Sequence, residues 1–205
     1  MDAAEACAVD WLAEKQMRAE RFSKGEMRQS RTPDFRVFRG GEFLFYCEVK
    51  HVEQDRWLEM HADGALPGQI VGGARPDPTF NRLTDDIHNA FQQFDAVNPG
   101  RQSPNVLFLF NSDRQCGMTD LLAVLEGNLY AADGVVEPCF RNYSEGRIKD
   151  EKFAIDLYIF WNCRKVKKPQ YYWTGGSRFY AQLCEYFGSD PTSHRQLPSE
   201  NPRWR

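Results

Sequence analysis

The chain has 205 residues, enough for one domain with a full core and short for two. Its 26 Lys+Arg against 29 Asp+Glu give a formal net charge of −3, which argues against a protein that coats nucleic acid by bulk charge. No apolar run approaches the roughly 20 residues needed to span a bilayer, and Met1-Asp2-Ala3-Ala4-Glu5 lacks the basic and apolar stretches of a signal peptide, so a cytoplasmic location is expected.

The first twenty-odd residues read as a helix: Ala8, Val9 and Leu12 form a stripe, Glu5 lies one turn earlier, and Cys7 and Trp11 widen it. Basic residues follow at Lys15, Arg18, Arg21, Lys24, Arg28, Arg31, Arg36 and Arg39, opposed by Glu20, Glu26 and Asp34. A second basic group is Arg164, Lys165, Lys167 and Lys168. Either group alone suits an ordinary solvated surface; together, with one just upstream of an acidic motif, they fit contact with a phosphate backbone.

Residues 31–50 read as a β-hairpin, and the Gly- and Pro-rich residues 63–78 as a long exposed loop. Leu83, Ile87, Ala90, Phe91 and Phe94 stand at helical spacing, and Asn98-Pro99-Gly100 stops that helix. Residues 106–110, VLFLF, suit a central strand buried on both faces. A helix over residues 121–125, a strand over 153–161 and a last helix over 177–187, capped by Ser177 and closed by Gly188, complete the pattern. The expected organisation is one α/β domain over residues 1–188 with a mobile tail over 189–205. The six cysteines are scattered without a CxxC pair, so reduced, mostly buried thiols are expected rather than a structural zinc site.

Pro33-Asp34 precedes Glu48-Val49-Lys50 by fourteen residues, and the stretch between them is the hairpin. Glu48 and Lys50 share a face because side chains alternate along a strand. Where Asp34 points depends on the turn. A two-residue Gly40-Gly41 loop pairs Arg39 with Glu42 and leaves Asp34 opposite Cys47, facing away from Glu48. A three-residue loop, Arg39-Gly40-Gly41, pairs Phe38 with Glu42 and adds a bulge at Gly41. That register puts Phe35, Val37, Phe43, Phe45, Cys47 and Val49 on one face. It puts Asp34, Arg36, Phe38, Leu44, Tyr46, Glu48 and Lys50 on the other. Patterning therefore predicts a bulge at Gly40-Gly41.

Two carboxylates with a backbone carbonyl and waters suit the oxygen shell of Mg²⁺ or Mn²⁺. Such a metal polarises a phosphate and acidifies bound water, while a lysine orients the nucleophile or stabilises the charged transition state. The plainer alternatives are a turn-entry role for Asp34 and a same-face ion pair between Glu48 and Lys50. An ionisable pair on a hydrophobic strand argues for function, since burying charge without a reason is costly.

At these residues the chain resembles the PD-(D/E)xK nuclease superfamily. Pro33-Asp34 matches the first half of the signature and Glu48-Val49-Lys50 the second. Glu5, seven residues before Leu12, is similar to the first-helix glutamate of Holliday-junction resolvases. Ile87-x-x-Ala90-x-x-Gln93-Phe94 followed by Asn105-Val106-Leu107-Phe108 looks like the helix and core strand that follow the motif in many members. The likeness covers about residues 3–112. It implies a restriction-endonuclease-like mixed central sheet flanked by helices, and a metal-dependent nuclease of repair, recombination or restriction type. Asp34, Glu48 and the Val49 carbonyl would hold Mg²⁺ or Mn²⁺, joined by Glu5 or Glu14, and Lys50 would be catalytic. Gln93, Arg36 and Arg31 would meet the substrate.

The expected partner is DNA, with RNA and a homodimer left open and no membrane. A catalytically silent nuclease-like fold, binding nucleic acid or serving in protein assembly, is the alternative. A structural or regulatory protein whose Asp34, Glu48 and Lys50 form only a surface ion-pair cluster is a third. His51 should face away from Lys50, His61 and His88 have no partner at ligand spacing, and Pro76-Asp77 is followed by no strand-borne ExK.

Overall fold

The alternating apolar runs assemble into one mixed sheet with helices on both sides. The computed structural model describes residues 1–53, 60, 63, 65–70, 79–130, 136–138, 148–162, 168–190 and 196–197. In chain order come α1 (Ala3–Glu14), β1 (Arg18–Arg21), α2 (Lys24–Gln29), β2 (Phe35–Arg39), β3 (Glu42–Val52), α3 (Thr79–Val97) and β4 (Asn105–Asn111). Then follow α4 (Met118–Glu126), β5 (Asn128–Tyr130), β6 (Val136–Pro138), a 3₁₀ turn (Glu151–Ala154), β7 (Leu157–Asn162), β8 (Gln170–Thr174), α5 (Tyr180–Phe187) and β9 (Gln196–Leu197).

The seven-stranded sheet has the order β1-β2-β3-β4-β7-β8-β9, and β5 and β6 pair separately. Strands β1, β2 and β3 are antiparallel neighbours, β3, β4 and β7 run parallel, and β8 returns antiparallel to β7. The apolar run of β4 is central, as its sequence predicts. Val106 and Phe108 enter one core layer, with Trp11 and Leu12 of α1 and Leu183 and Phe187 of α5. Leu107 and Leu109 enter the other, with Leu83, Ile87, Ala90 and Phe94 of α3. Each such large apolar side chain contributes roughly 1.5–3 kcal/mol on burial, so both helical layers are held firmly to the sheet. Because Glu48 pairs with Leu107 and Lys50 with Leu109, both polar residues lie on the α3 side.

Several expectations change. The first helix ends at Glu14, and Gln16 takes a left-handed φ of +61°, which turns the chain into β1. Its Arg- and Glu-rich sequence has no strand propensity, so pairing with β2 decides its state. A short helix, α2, capped by Ser23 and Glu26, precedes β2. The strand expected from 153 begins at Leu157, after the 3₁₀ turn. The last helix begins at Tyr180 with Phe179 as N-cap, because the Ser177 hydroxyl is directed to Asp156 at 2.6 Å as well as accepting from the Phe179 amide. Gly188 closes it in the left-handed conformation, as expected. Within the expected tail, Gln196–Leu197 pairs with Trp173 and Thr174 as an edge strand.

Cys7, Cys47, Cys116 and Cys184 are in no disulfide, and the last three are buried. Cys139, Cys163, His61, Pro76-Asp77 and three of the second basic group (Arg164, Lys165, Lys167) lie outside the described residues, as does most of the expected 63–78 loop. No helix among the described residues is long and apolar enough to cross a membrane.

Candidate active site

The hairpin reaches the expected facing of Asp34 and Glu48 by a different device. Gly40 and Gly41 form a two-residue loop, with φ of +56° and +90°, that pairs Arg39 with Glu42. Both left-handed positions suit a primed turn, whose twist matches the strands. The three-residue loop and the Gly41 bulge are therefore overturned. The extra residue is Leu44: Phe38 pairs with Phe43 and Val37 with Phe45, and Leu44 bulges between them. It enters the core beside Phe45, only 3% exposed. Phe43 leaves the face expected for it and packs on Phe38 and Tyr46, with ring centroids at 5.6 and 4.9 Å. Beyond the bulge Phe35 pairs with Cys47. A two-residue loop alone would have put Asp34 there; the Leu44 insertion moves Asp34 alongside Glu48.

Hydrogen bonds then tie the start of β2 to β3. The Asp34 backbone N–H donates to Glu48 Oε2 at 3.0 Å, and the Val49 N–H donates to Asp34 Oδ2 at 2.8 Å. Lys50 Nζ lies 2.6 Å from Glu48 Oε1. It also donates to Gln93 Oε1 at 3.2 Å, while Gln93 Nε2 donates to the Thr32 carbonyl at 3.0 Å. One helix of the second layer thus braces the lysine against the segment leading into β2.

Burial sets the electrostatics. Glu48 is 2% exposed, and loss of hydration together with the Asp34 charge pushes its carboxyl up to about 8, against the pull of Lys50. Asp34 is raised by burial, with the Glu5 charge adding and the Val49 N–H opposing. The pair's mutual hydrogen bond favours the proton on Glu48. Such a pair takes up a proton near neutrality.

Lys50 lines a cleft of about 390 Å³ with Arg31, Thr32, Asn89 and Gln93. Arg31 also donates to Gln92 on the exposed side of α3. Arg36 is committed elsewhere: it pairs with Glu26 at 2.5 Å and stacks 3.9 Å above the Phe22 ring. Glu5 completes the capping box, accepting from the Asp2 N–H at 2.7 Å, and accepts from Arg21 on the same oxygen. Glu14 lines a different cleft beside Trp11 and Trp161. Among the described residues no three His, Cys, Asp or Glu side chains gather into a metal-holding group. His51 contacts Ser112 at 2.9 Å and the edge of Phe110, the packing role its strand position implies.

Sequence reasoning missed Asp86 and Asn89. Asp86 precedes Gln93 by seven residues and Asn89 precedes it by four, so all three share the α3 face toward β3. Burial pushes the Asp86 carboxyl up to about 6, against the positive charges of Lys50 and Arg82. It lines a cleft of about 280 Å³ with His51 and Arg82, next along the same seam. The signal available was helical spacing from Gln93, obscured by the adjacent Asp85.

No protein-family model matches the chain, and neither does any curated protein or solved structure.

Proposed function

We propose that this chain is a metal-dependent nuclease that hydrolyses phosphodiester bonds of DNA, with a restriction-endonuclease-like core built from α1, β1–β3, α3 and β4. The observation carrying this reading is the pair of crossed hydrogen bonds, Asp34 N–H to the Glu48 carboxylate and Val49 N–H to the Asp34 carboxylate, with Lys50 paired to Glu48 and lining an adjoining cleft. A helix and a buried parallel strand follow the Glu-x-Lys strand, the order that the resemblance implies.

The donor set fits a hard divalent cation. Mg²⁺ keeps several waters and is commonly held through one or two carboxylates, and both carboxyls here hold a proton more tightly than an ordinary acid. Asp34 and Glu48, with the Val49 carbonyl, would hold Mg²⁺ or Mn²⁺. The ion supplies polarisation of the phosphate and a more acidic bound water.

This chain's own residues do the rest. Glu48 accepts from the Asp34 N–H and Asp34 accepts from the Val49 N–H, which favours the two carboxylates staying near each other. Lys50 presents its ammonium to the cleft, where it orients the attacking water and offsets charge on the phosphate oxygens. Gln93 limits the freedom of Lys50, and Arg31 meets a flanking phosphate. Arg36 acts indirectly, holding α2 and Phe22 beside the site. Seating of a strand in the cleft, with the in-line water held by Lys50, is the positional part of catalysis.

The engagement of Glu5 by Arg21 and the helix cap favours one second reading, a nuclease-like fold that binds nucleic acid without cutting it. Calorimetric titration with Mn²⁺ separates them. Binding that is lost in Asp34→Ala supports the nuclease; DNA binding with no Mn²⁺ binding in either protein supports the silent fold.

A further inference from the structure

A second cavity, of about 430 Å³, lies where β8 ends and the chain enters β4 and β7, and Arg101, Phe153, Gly175, Gly176, Ser177 and Arg178 line it. Its volume falls within the range of small-molecule sites. Beneath it Asp156 is fully buried and saturated: Oδ2 accepts the Asn105 N–H at 2.8 Å, and Oδ1 accepts Arg101 Nη2 and Ser177 Oγ, both at 2.6 Å. Neutralising Asp156 occupies one corner of the Arg101 guanidinium. The side chain is still 37% exposed at the cavity, so the arginine is anchored on one side and presented on the other. Arg101 holds this place from a left-handed φ of +46°, which costs a non-glycine residue energy.

Arg178 adds a second guanidinium. It stacks 4.7 Å from the Phe179 ring and makes no ion pair with any described residue. Asp156 balances Arg101, so among the described residues Arg178 leaves the cavity lining with one excess positive charge. The wall between the arginines is Gly175-Gly176, without side chains, with Gly176 at φ +76°. A ligand can therefore approach the main chain closely. Two guanidiniums in a partly enclosed site favour an anion with several oxygens in fork geometry. The Phe153 ring offers an apolar wall of the kind on which a planar base stacks.

We propose that this cavity is a phosphate-binding site for a nucleotide or a nucleic-acid strand end, with Arg101 and Arg178 gripping the phosphate and Phe153 flanking the base. It uses none of the Asp34–Glu48–Lys50 residues and stands whether or not that site cuts DNA.

The test is a ¹H–¹⁵N NMR titration of the full chain at low salt with inorganic phosphate, thymidine monophosphate, and a short single-stranded oligonucleotide with and without a 5′-phosphate. Saturable shifts at the Gly175, Gly176, Ser177 and Arg178 amides are expected with phosphate and the nucleotide. They should weaken at least tenfold in Arg178→Ala and be unchanged in Lys50→Ala. Arg101→Ala would leave the buried Asp156 without its cation and endanger folding, so Arg178→Ala, with an unaltered melting temperature, is the decisive variant. Stronger binding of the nucleotide than of phosphate assigns a role to Phe153, and dependence on the 5′-phosphate identifies a strand end. Absence of saturable shifts with phosphate and nucleotide alike, or equal affinity in Arg178→Ala, overturns the proposal.

Discussion

The backbone N–H of Asp34 donates to the carboxylate of Glu48 at 3.0 Å across fourteen residues of sequence. Glu48 thereby fixes the residue whose negative charge raises its own proton affinity. Most of the chemistry expected of the site turns on this buried pairing of acids.

Stability should depend on pH through Glu48. Its folded carboxyl is raised from 4.5 to about 8, so the folded state binds the proton more tightly than the unfolded one. The sign follows: the stabilisation is complete below about pH 4.5, is lost as pH rises toward 8, and is constant above. Glu48→Gln lacks this loss. The melting temperature of Glu48→Gln minus that of wild type should therefore grow between pH 5 and pH 8, by an amount equivalent to a few kcal/mol at most. Parallel curves for the two proteins would mean that Glu48 is not perturbed.

Cation binding should displace that proton. Calorimetry with Mn²⁺ at pH 7 in buffers of different ionisation enthalpy is expected to show about one proton released per ion, because a proton that the pair holds at this pH competes for the same oxygens. Affinity should rise from pH 6 to pH 8. Binding without proton release would place the ion elsewhere.

Leu44 carries the register. Deleting it should return the hairpin to a regular two-residue register and turn Asp34 to the face opposite Glu48. The expected result is loss of Mn²⁺ binding. Leu44→Ala keeps the residue count, so it should retain Mn²⁺ binding while losing roughly 2–5 kcal/mol of stability to the cavity.

Glu5 should behave as a structural residue. Glu5→Gln is expected to lower stability by about 1 kcal/mol, through the weakened cap and the lost Arg21 contact, and to change Mn²⁺ affinity less than threefold. A drop of tenfold or more would make it a metal ligand.

Gln93 and Asp86 should act through Lys50. Gln93→Ala removes one neutral partner of the ammonium, so a fall of about tenfold in cleavage rate is expected, with DNA affinity nearly unchanged. Asp86→Asn should shift the pH profile of cleavage near pH 6, where the Asp86 carboxyl titrates. Equal losses of rate and affinity would indicate a general disturbance of α3.

Much of this was legible in the sequence because local pattern and tertiary packing agree. The helical spacing of Leu83, Ile87, Ala90 and Phe94 and the apolar run of β4 have few alternatives once both faces must be buried. The shared face of Asp34 and Glu48 was also legible, since hydrophobic patterning penalises the other parity. The route to it was not. A two-residue turn with a Leu44 bulge and a three-residue turn give the same parity for Asp34, and they differ in which of Phe43 and Leu44 enters the core. Strand β1 was hidden because Arg18-Ala19-Glu20-Arg21 suits a helix and is extended only through its partner β2. The phosphate cavity is assembled from residues 101, 153 and 175–178, too far apart in sequence for spacing to reveal.

The most direct measurement is incubation of wild type and Lys50→Ala with plasmid, linear, single-stranded and branched DNA, with and without Mg²⁺ or Mn²⁺. Wild type should cleave at least one of these, and cleavage should be abolished by removing the metal and by Lys50→Ala. Cleavage that persists in Lys50→Ala, or none of the four cut by wild type with either metal, would rule out a metal-dependent nuclease site at Asp34, Glu48 and Lys50.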